Sequence, residues 1–465
     1  MIDRKKALVQ QEALRLSTIY RKKKLRPVQL VVLIYVVATF VSAGILRLPF
    51  MHKPGVSISF TDALFTAASS ISVTGLTVIS VSDVFNTAGL IVLIILFQIG
   101  GIGIMTLGTF FWLLFGQRIG LEQRMFIAAD HNRPTLSGLV GLMRSILALA
   151  FVIELIGAVL LGTHTLLTGY HDHWYTAYFH GLFASVSAFT NAGFDLNGSS
   201  LIPFAHDYYY QIVTMLLIIS GGIGFPVLLE LKWKVLHRKE RHRFSLLTKI
   251  AILMFGVLTT LGAVMFFVFE HNQFLADKNW HETLFYSLFH SVSSRSGGMT
   301  TMDIGALGPS TLMMLSGLMF IGASPSSVGG GIRTTTFFVM IAAVWSYMRG
   351  QRNSKVFGRE LDEDDIRRSF IVFFVATALV FTAFVLLSFT DPFPLQQLIF
   401  EVCSAFGTTG LSTGITPELS IAGKIILITV MIIGRVGILN MLLLLKQEDH
   451  PVRIRYPKET VIVGQ

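Results

Sequence analysis

Long apolar runs separated by short polar or basic connections dominate the chain. Eight of them lie near residues 28–48, 87–116, 138–168, 207–233, 246–269, 308–348, 367–390 and 420–445. Each reaches the length of about 18 apolar residues that crosses a bilayer as a helix. The pattern predicts an all-α integral membrane protein with eight transmembrane helices rather than a soluble helical one. The run at 308–348 is too long for one simple span. Between the long runs lie shorter apolar stretches at 60–71, 177–189, 281–293 and 395–406. At about a dozen residues they cannot span the membrane, but they suit helices that enter it and turn back.

Every short stretch ends in a small, hydroxyl-rich turn: SISVTGL, SAFTNAGF, SVSSRSGGM and SAFGTTGL. Their glycines, Gly75, Gly193, Gly298 and Gly410, are spaced by 118, 105 and 112 residues. A further glycine cluster follows each after 24 to 28 residues. Each unit therefore reads helix, pore helix, filter turn, helix, and the recurrence predicts four pseudo-repeats around one central pore. The expected organisation is a basic cytoplasmic N-terminus at 1–27, pore repeats at 28–116, 138–235, 246–348 and 366–445, and a cytoplasmic tail at 446–465.

Aligned on the glycines, the turns are Ser72-Val73-Thr74-Gly75, Thr190-Asn191-Ala192-Gly193, Arg295-Ser296-Gly297-Gly298 and Gly407-Thr408-Thr409-Gly410. Irregular backbone at membrane depth survives only where it is buried in protein or lines water. Glycine admits dihedrals that turn a carbonyl inward without a Cβ clash. Four such turns on one axis make a ring of carbonyl oxygens that can replace a cation's water. The short helices would also aim their partially negative C-terminal ends at that axis.

The second helices carry IGGIGIM at 99–105, SGGIGFP at 220–226 and IGRVGIL at 433–439. Small residues there are expected to let helices approach closely. These runs do not follow strands, so a nucleotide-binding loop is rejected. The third unit has IGASPSSVGGGIRTTTF at 321–337 instead. Gly322, Ser324, Pro325, Ser326, Ser327, Gly329, Gly330 and Gly331 should break the helix in mid-membrane. Placed directly below the glycine ring, this segment is expected to obstruct the path as a gate.

Composition agrees: 52% of residues are hydrophobic and 14% charged, against about 25% charged in soluble domains. The net charge of +10 could suggest nucleic acid, but its distribution argues otherwise. Residues 1–27, 117–133, 232–249, 349–368 and 446–465 hold 29 of the 37 Lys and Arg, all on one side if the helices alternate. That bias places both termini in the cytoplasm, beside anionic headgroups. Partner docking is expected at the loops 117–133, 232–249 and 349–368, the last with ELDEDD at 360–365, and at the tail 446–465. The single cysteine, Cys403, excludes an internal disulfide or a thiolate metal site.

Three arginines stand at membrane depth. Arg435 interrupts an apolar helix and is expected to face the interior, as a positive barrier beneath the turns or a partner of the broken segment. Arg333, at the cytoplasmic end of that segment, could snorkel to the interface. Arg295 adjoins a filter glycine, where a cation would repel a cation, so it should point away and brace the turn. Glu154 is expected to have a structural partner within its span.

With these residues the chain resembles the Trk/Ktr/HKT superfamily of potassium transporters across residues 28–465. Eight spans and the tail RYPKETVIVG look like the bacterial Ktr-type membrane subunit. The resemblance implies that Gly75, Gly193, Gly298 and Gly410 are selectivity-filter glycines, that 322–331 is the intramembrane gating loop, and that Arg435 contacts it. It further implies K+ as the transported ion, a homodimer with one pore per protomer, and a cytosolic octameric nucleotide-binding ring that gates the pore. Any nucleotide would sit on the ring. Glycine at all four positions is similar to potassium-selective members, whereas RSGGM departs from the usual third turn. Single-glycine filters imply looser selection than the five-residue filter of tetrameric potassium channels.

The expected function is potassium uptake across the bacterial plasma membrane, by a channel-like route or with sodium as activator or co-ion. The alternatives are a sodium-selective or sodium-coupled symporter, an integral-membrane enzyme, and a scaffold subunit without transport. No short segment assembles a catalytic His, Asp or Glu cluster, and the intact glycines argue against the scaffold.

Overall fold

The computed structural model describes residues 27–103, 139–237, 243–351, 353–445, 457 and 459. The basic N-terminus, the loop 117–133 and nearly all of the tail lie outside the described residues. The first unit contains α1 (Pro27–Leu46), α2 (Phe60–Ser72) and α3 (Thr87–Ile102). The second contains α4 (Leu139–Leu167), α5 (Trp174–Phe189), α6 (Tyr208–Gly222) and α7 (Phe225–Leu236). The third contains α8 (Leu246–Glu270), α9 (Trp280–Ser293), α10 (Pro309–Phe320) and α11 (Thr334–Met348). After a small hairpin pairing Lys355 with Glu360, the fourth contains α12 (Glu363–Thr390), α13 (Leu395–Gly407), α14 (Ile421–Val436) and α15 (Ile438–Leu445).

Among the described residues, α1, α4, α8 and α12 are each long and apolar enough to cross a membrane, and six spans result if each bent pair counts as one. The short helices α2, α5, α9 and α13 fall where the apolar pattern places them. Local chemistry fixes their starts. The Ser59 hydroxyl accepts the Asp62 amide at the head of α2, and Asn279 and Glu282 form a reciprocal cap on α9. Phe65, Phe183, Phe289 and Phe400 sit at matching points of the four short helices, all fully buried. Each is too large to leave water-accessible at this depth, and together they anchor the short helices in the interior.

The second helices differ from expectation. The runs 207–233 and 420–445 are not single straight helices; each is broken, by 108° between α6 and α7 and by 94° between α14 and α15. The breaks fall at Gly224 (φ +101°) and Gly437 (φ +88°), and α3 ends at Gly103 (φ +106°). In each case the last glycine of the GGIG or GRVG run takes a backbone conformation that L side chains avoid. The anticipated break in the third unit is present, with residues 321–333 separating α10 from α11.

The earlier glycine of each run does bring helices together. A methyl on Gly100, Gly221 or Gly434 would overlap the carbonyl oxygen of Ile71, Phe189 or Phe406 respectively. All three carbonyls lie four residues before the glycine of their turn, Gly75, Gly193 or Gly410. Gly221→Ala is therefore expected to lower stability by about 1–3 kcal/mol, as overpacking does. Gly256→Ala, with nothing near its added methyl, is expected to leave it unchanged. Thermal unfolding in detergent compares the two, and equal midpoints would show that the contact is not limiting. The fourth unit closes on the first through the ion pair of Lys424 in α14 with Asp62 in α2, at 2.9 Å.

Candidate functional site

The four turns adopt one backbone pattern. The residue two before each glycine is left-handed: Val73 (φ 57°), Asn191 (φ 55°), Ser296 (φ 76°) and Thr408 (φ 46°). The glycines follow with Gly75 at φ 94°, Gly193 at 71°, Gly298 at 69° and Gly410 at 95°. Positive φ is rare outside glycine, and for β-branched Val73 and Thr408 it is strained. Such strain persists only where the surroundings over-determine it. Its fourfold recurrence shows that the turns share a shape that their differing side chains do not dictate.

The turns meet. A methyl on Gly75 would lie 2.6 Å from Ala192 O and 2.9 Å from the Cα of Gly193. One on Gly193 would lie 3.1 Å from the Cα of Gly75 and 3.2 Å from that of Gly298. One on Gly298 would overlap Thr409 O, and one on Gly410 would overlap Thr74 O and lie 2.9 Å from the Cα of Gly75. The glycines thus stand in the cyclic order 75–193–298–410, with carbonyls of the preceding residues between them. Every residue from 72 to 75, 190 to 193, 295 to 298 and 407 to 410 is buried.

Hydroxyls on the short helices hold the turns from behind. The Gly75 amide donates to Ser69 Oγ and the Gly410 amide to Ser404 Oγ, both at 3.1 Å. Ser187 Oγ donates to Phe194 O at 2.7 Å, and Ser293 Oγ donates to Met299 O. Ser296 Oγ crosses to Gly407 O at 2.9 Å, joining the third turn to the fourth.

Arg295 is fully buried: its guanidinium lies 5.0 Å from the centre of the Phe255 ring and donates to Gly322 O at 3.3 Å. Glu154 accepts from Gln98 at 2.5 Å. Sequence reasoning missed Glu401. This wholly buried carboxylate on α13 accepts from Ser412 Oγ (2.7 Å), the Thr413 amide (2.9 Å) and Thr416 Oγ1 (2.8 Å). It fixes the segment that leaves the fourth turn. The available signal was an acid inside an apolar short helix, followed by a run rich in Ser and Thr.

The broken segment lies against this ring. The Gly330 amide donates to Thr408 Oγ1 at 2.7 Å, and a methyl on Gly331 would lie 3.2 Å from the Cα of Gly407. The segment is tied to α6 by the Ser324 amide on Gly222 O (3.0 Å) and the Val328 amide on Gly221 O (3.3 Å). Gly322 could carry no side chain, because a methyl would overlap Gly330 O. Pro325 lies partly buried in the turn between, and Ser324 and Gly329 are buried. Arg435 donates to Val328 O, and also to Gly100 O and Gly101 O (3.0 Å). Arg333 does not reach outward; its Nη1 donates to Ser324 O and Gly329 O within the segment. A cavity of about 150 Å³ adjoins the segment, with Tyr35, Arg333, Arg435 and Asn440 in its wall.

The site combines four turns in mutual backbone contact with a segment of irregular chain packed against the fourth. The family described as TrkH, cation transport protein, matches residues 16–451. The Ktr system potassium uptake protein D of Bacillus subtilis (strain 168) is 51% identical over 440 residues, covering 95% of this chain and 98% of that protein. The potassium/sodium uptake protein NtpJ of Enterococcus hirae is 34% identical, covering 95% and 98%. Among solved structures, the potassium transporter TrkH from Vibrio parahaemolyticus superposes with a TM-score of 0.70 at 19% identity, over 92% of this chain and 86% of that one.

Proposed function

The chain belongs to the TrkH family of cation transport proteins, a multi-pass membrane family, and from that premise we propose that it takes up potassium through a four-repeat, carbonyl-lined filter. The cyclic contact of four turns with one φ pattern supports this reading best. Left-handed residues at every second position keep neighbouring carbonyls from alternating as they do along a strand. They can then converge on one ion. The ligands are neutral, so selection rests on the number and spacing of oxygens rather than on charge. In this reading α1, α3, α4, the α6–α7 pair, α8, the α10–α11 pair, α12 and the α14–α15 pair make eight spans, with both termini cytoplasmic. An inside-negative potential supplies about 2.3 kcal/mol per charge per 100 mV, so accumulation of a monovalent cation needs no ATP hydrolysis on this chain.

Residues 322–331, held by Arg435, act as the gate. The relatives named as Ktr system proteins support a separate regulatory subunit. We assign the chain a homodimer and a cytosolic octameric nucleotide-binding ring docked at 117–133, 232–249, 349–368 and the tail 446–465. The name of NtpJ, potassium/sodium uptake protein, keeps sodium as co-ion or activator within the reading.

Expression with a cognate ring subunit in bacteria lacking high-affinity potassium systems tests this. Restored growth and uptake at low potassium are expected. Sodium uptake without potassium uptake would move the chain to the sodium-selective reading. Transport of neither, with membrane insertion and ring assembly verified, would overturn the filter.

A further inference from the structure

Thr408 is at once part of the fourth turn and part of the contact with the broken segment. Its φ of 46° places a β-branched residue in the left-handed region, which is costly unless its surroundings hold it there. The Gly330 amide on Thr408 Oγ1, at 2.7 Å, is one of those holds. The fit around Gly330 is close. A methyl there would lie 2.6 Å from Thr408 Cγ2 and 3.0 Å from Gly434 O. Of the four residues at this point of the turns, Val73 has no hydroxyl, and the Ser296 hydroxyl goes to Gly407 O. No bond joins Asn191 to the segment among the described contacts. Among the described residues, of the four turns the fourth alone hands a side-chain acceptor to a loop amide.

We propose that the Thr408 hydroxyl is a latch between the loop and the filter, so that release of the loop also relaxes the inner end of the filter and loosens its choice of ion. This rests on the filter and gate reading above and deepens it: gating and selectivity share one hydrogen bond. Thr408 is here a positioning residue, acting through Gly330 on the loop and through its own backbone on the carbonyl before Thr409. While the loop is seated, the amide is satisfied and the left-handed turn is held. When the loop leaves, the hydroxyl loses its donor and the turn is free to relax.

The test is tracer rubidium flux into proteoliposomes holding the full chain without a ring subunit, with sodium competition measured alongside. Thr408→Val keeps the shape and strands the buried Gly330 amide in the closed state. About tenfold higher flux and several-fold weaker discrimination against sodium are expected. Thr408→Ser, which keeps the acceptor, should match the unaltered chain. Unchanged or lowered flux in Thr408→Val, raised flux with unchanged discrimination, or a serine variant behaving like valine would each overturn the latch. If Thr408→Val does not fold, Thr408→Cys, with a weak acceptor of similar size, should show an intermediate rise; no rise overturns the latch equally. A chain shortened across 325–330 separates the premises. If shortening fails to raise flux, the gate reading itself falls; if it raises flux and Thr408→Val does not, only the latch falls.

Discussion

Gly410→Ser is expected to cut potassium uptake at limiting potassium by at least tenfold and to narrow the preference for potassium over sodium, while Gly193→Ser does less of both. Two costs meet at Gly410. Its φ of +95° is strained for any residue with a Cβ, and that Cβ would overlap Thr74 O and crowd the Cα of Gly75. Strain of this kind costs about 1–3 kcal/mol, and each 1.4 kcal/mol is about tenfold. Relief requires the turn to move or Thr74 O to be pushed from its place, and either spoils the spacing on which ion selection rests. At Gly193 the nearest atoms are carbons at 3.1 and 3.2 Å, and its φ of +71° lies in the ordinary left-handed well. Gly298, whose Cβ would overlap Thr409 O, should rank with Gly410. Concentration dependence of uptake, with sodium competition, at matched membrane levels decides the order. Equal small effects at Gly193, Gly298 and Gly410 would mean that the turns pack the protein without lining a path.

Much of this arrangement was legible in the chain because its cause is local. The short helices could be placed from apolar run length, the turns from four hydroxyl-rich glycine segments, and the third unit's break from Pro325 beside three consecutive glycines. The bends at Gly224 and Gly437 were not legible. A glycine in an apolar helix is ambiguous between close packing and a positive φ. Gly221 and Gly434 proved to be the first and Gly224 and Gly437 the second, within one four-residue motif. Only the neighbouring carbonyl of Phe189 or Phe406 distinguishes them, and that contact is tertiary. The same holds for Glu401 and Thr408. Each looked like an ordinary member of its segment until the fold brought Thr416 to one and Gly330 to the other. Arg435 lay between these cases: its place in an apolar helix announced an interior role, but its carbonyl partners came from two separate stretches of chain.

Arg435→Met is expected to raise cation flux without the ring by about tenfold and, because the loop it frees also carries the Gly330 amide bonded to Thr408, to weaken the potassium-to-sodium preference as Thr408→Val does. The side chain is only 9% exposed and carries its charge into the interior beside the loop. Its guanidinium donates to Val328 O in the loop and to Gly100 O and Gly101 O at the end of α3, so one planar fork joins the loop to the first unit. Hydrogen bonds from a charged donor contribute about 1.5–3 kcal/mol each, so losing the one to Val328 alone shifts a closed–open balance by tenfold or more. Removing the charge acts in the same direction, since a cation passing nearby no longer meets a like charge. Both effects reach the fourth turn only through the loop, because the acceptors of Arg435 lie on the loop or at the end of α3, and the loop meets the turn at Thr408. Arg435→Lys should fall between, as a single ammonium keeps the charge but cannot reproduce the fork. Rubidium flux and sodium competition in proteoliposomes measure both quantities. A silent Arg435→Met variant of normal stability would show that the arginine holds the loop equally in both positions, and lowered flux would show that it favours the conducting one.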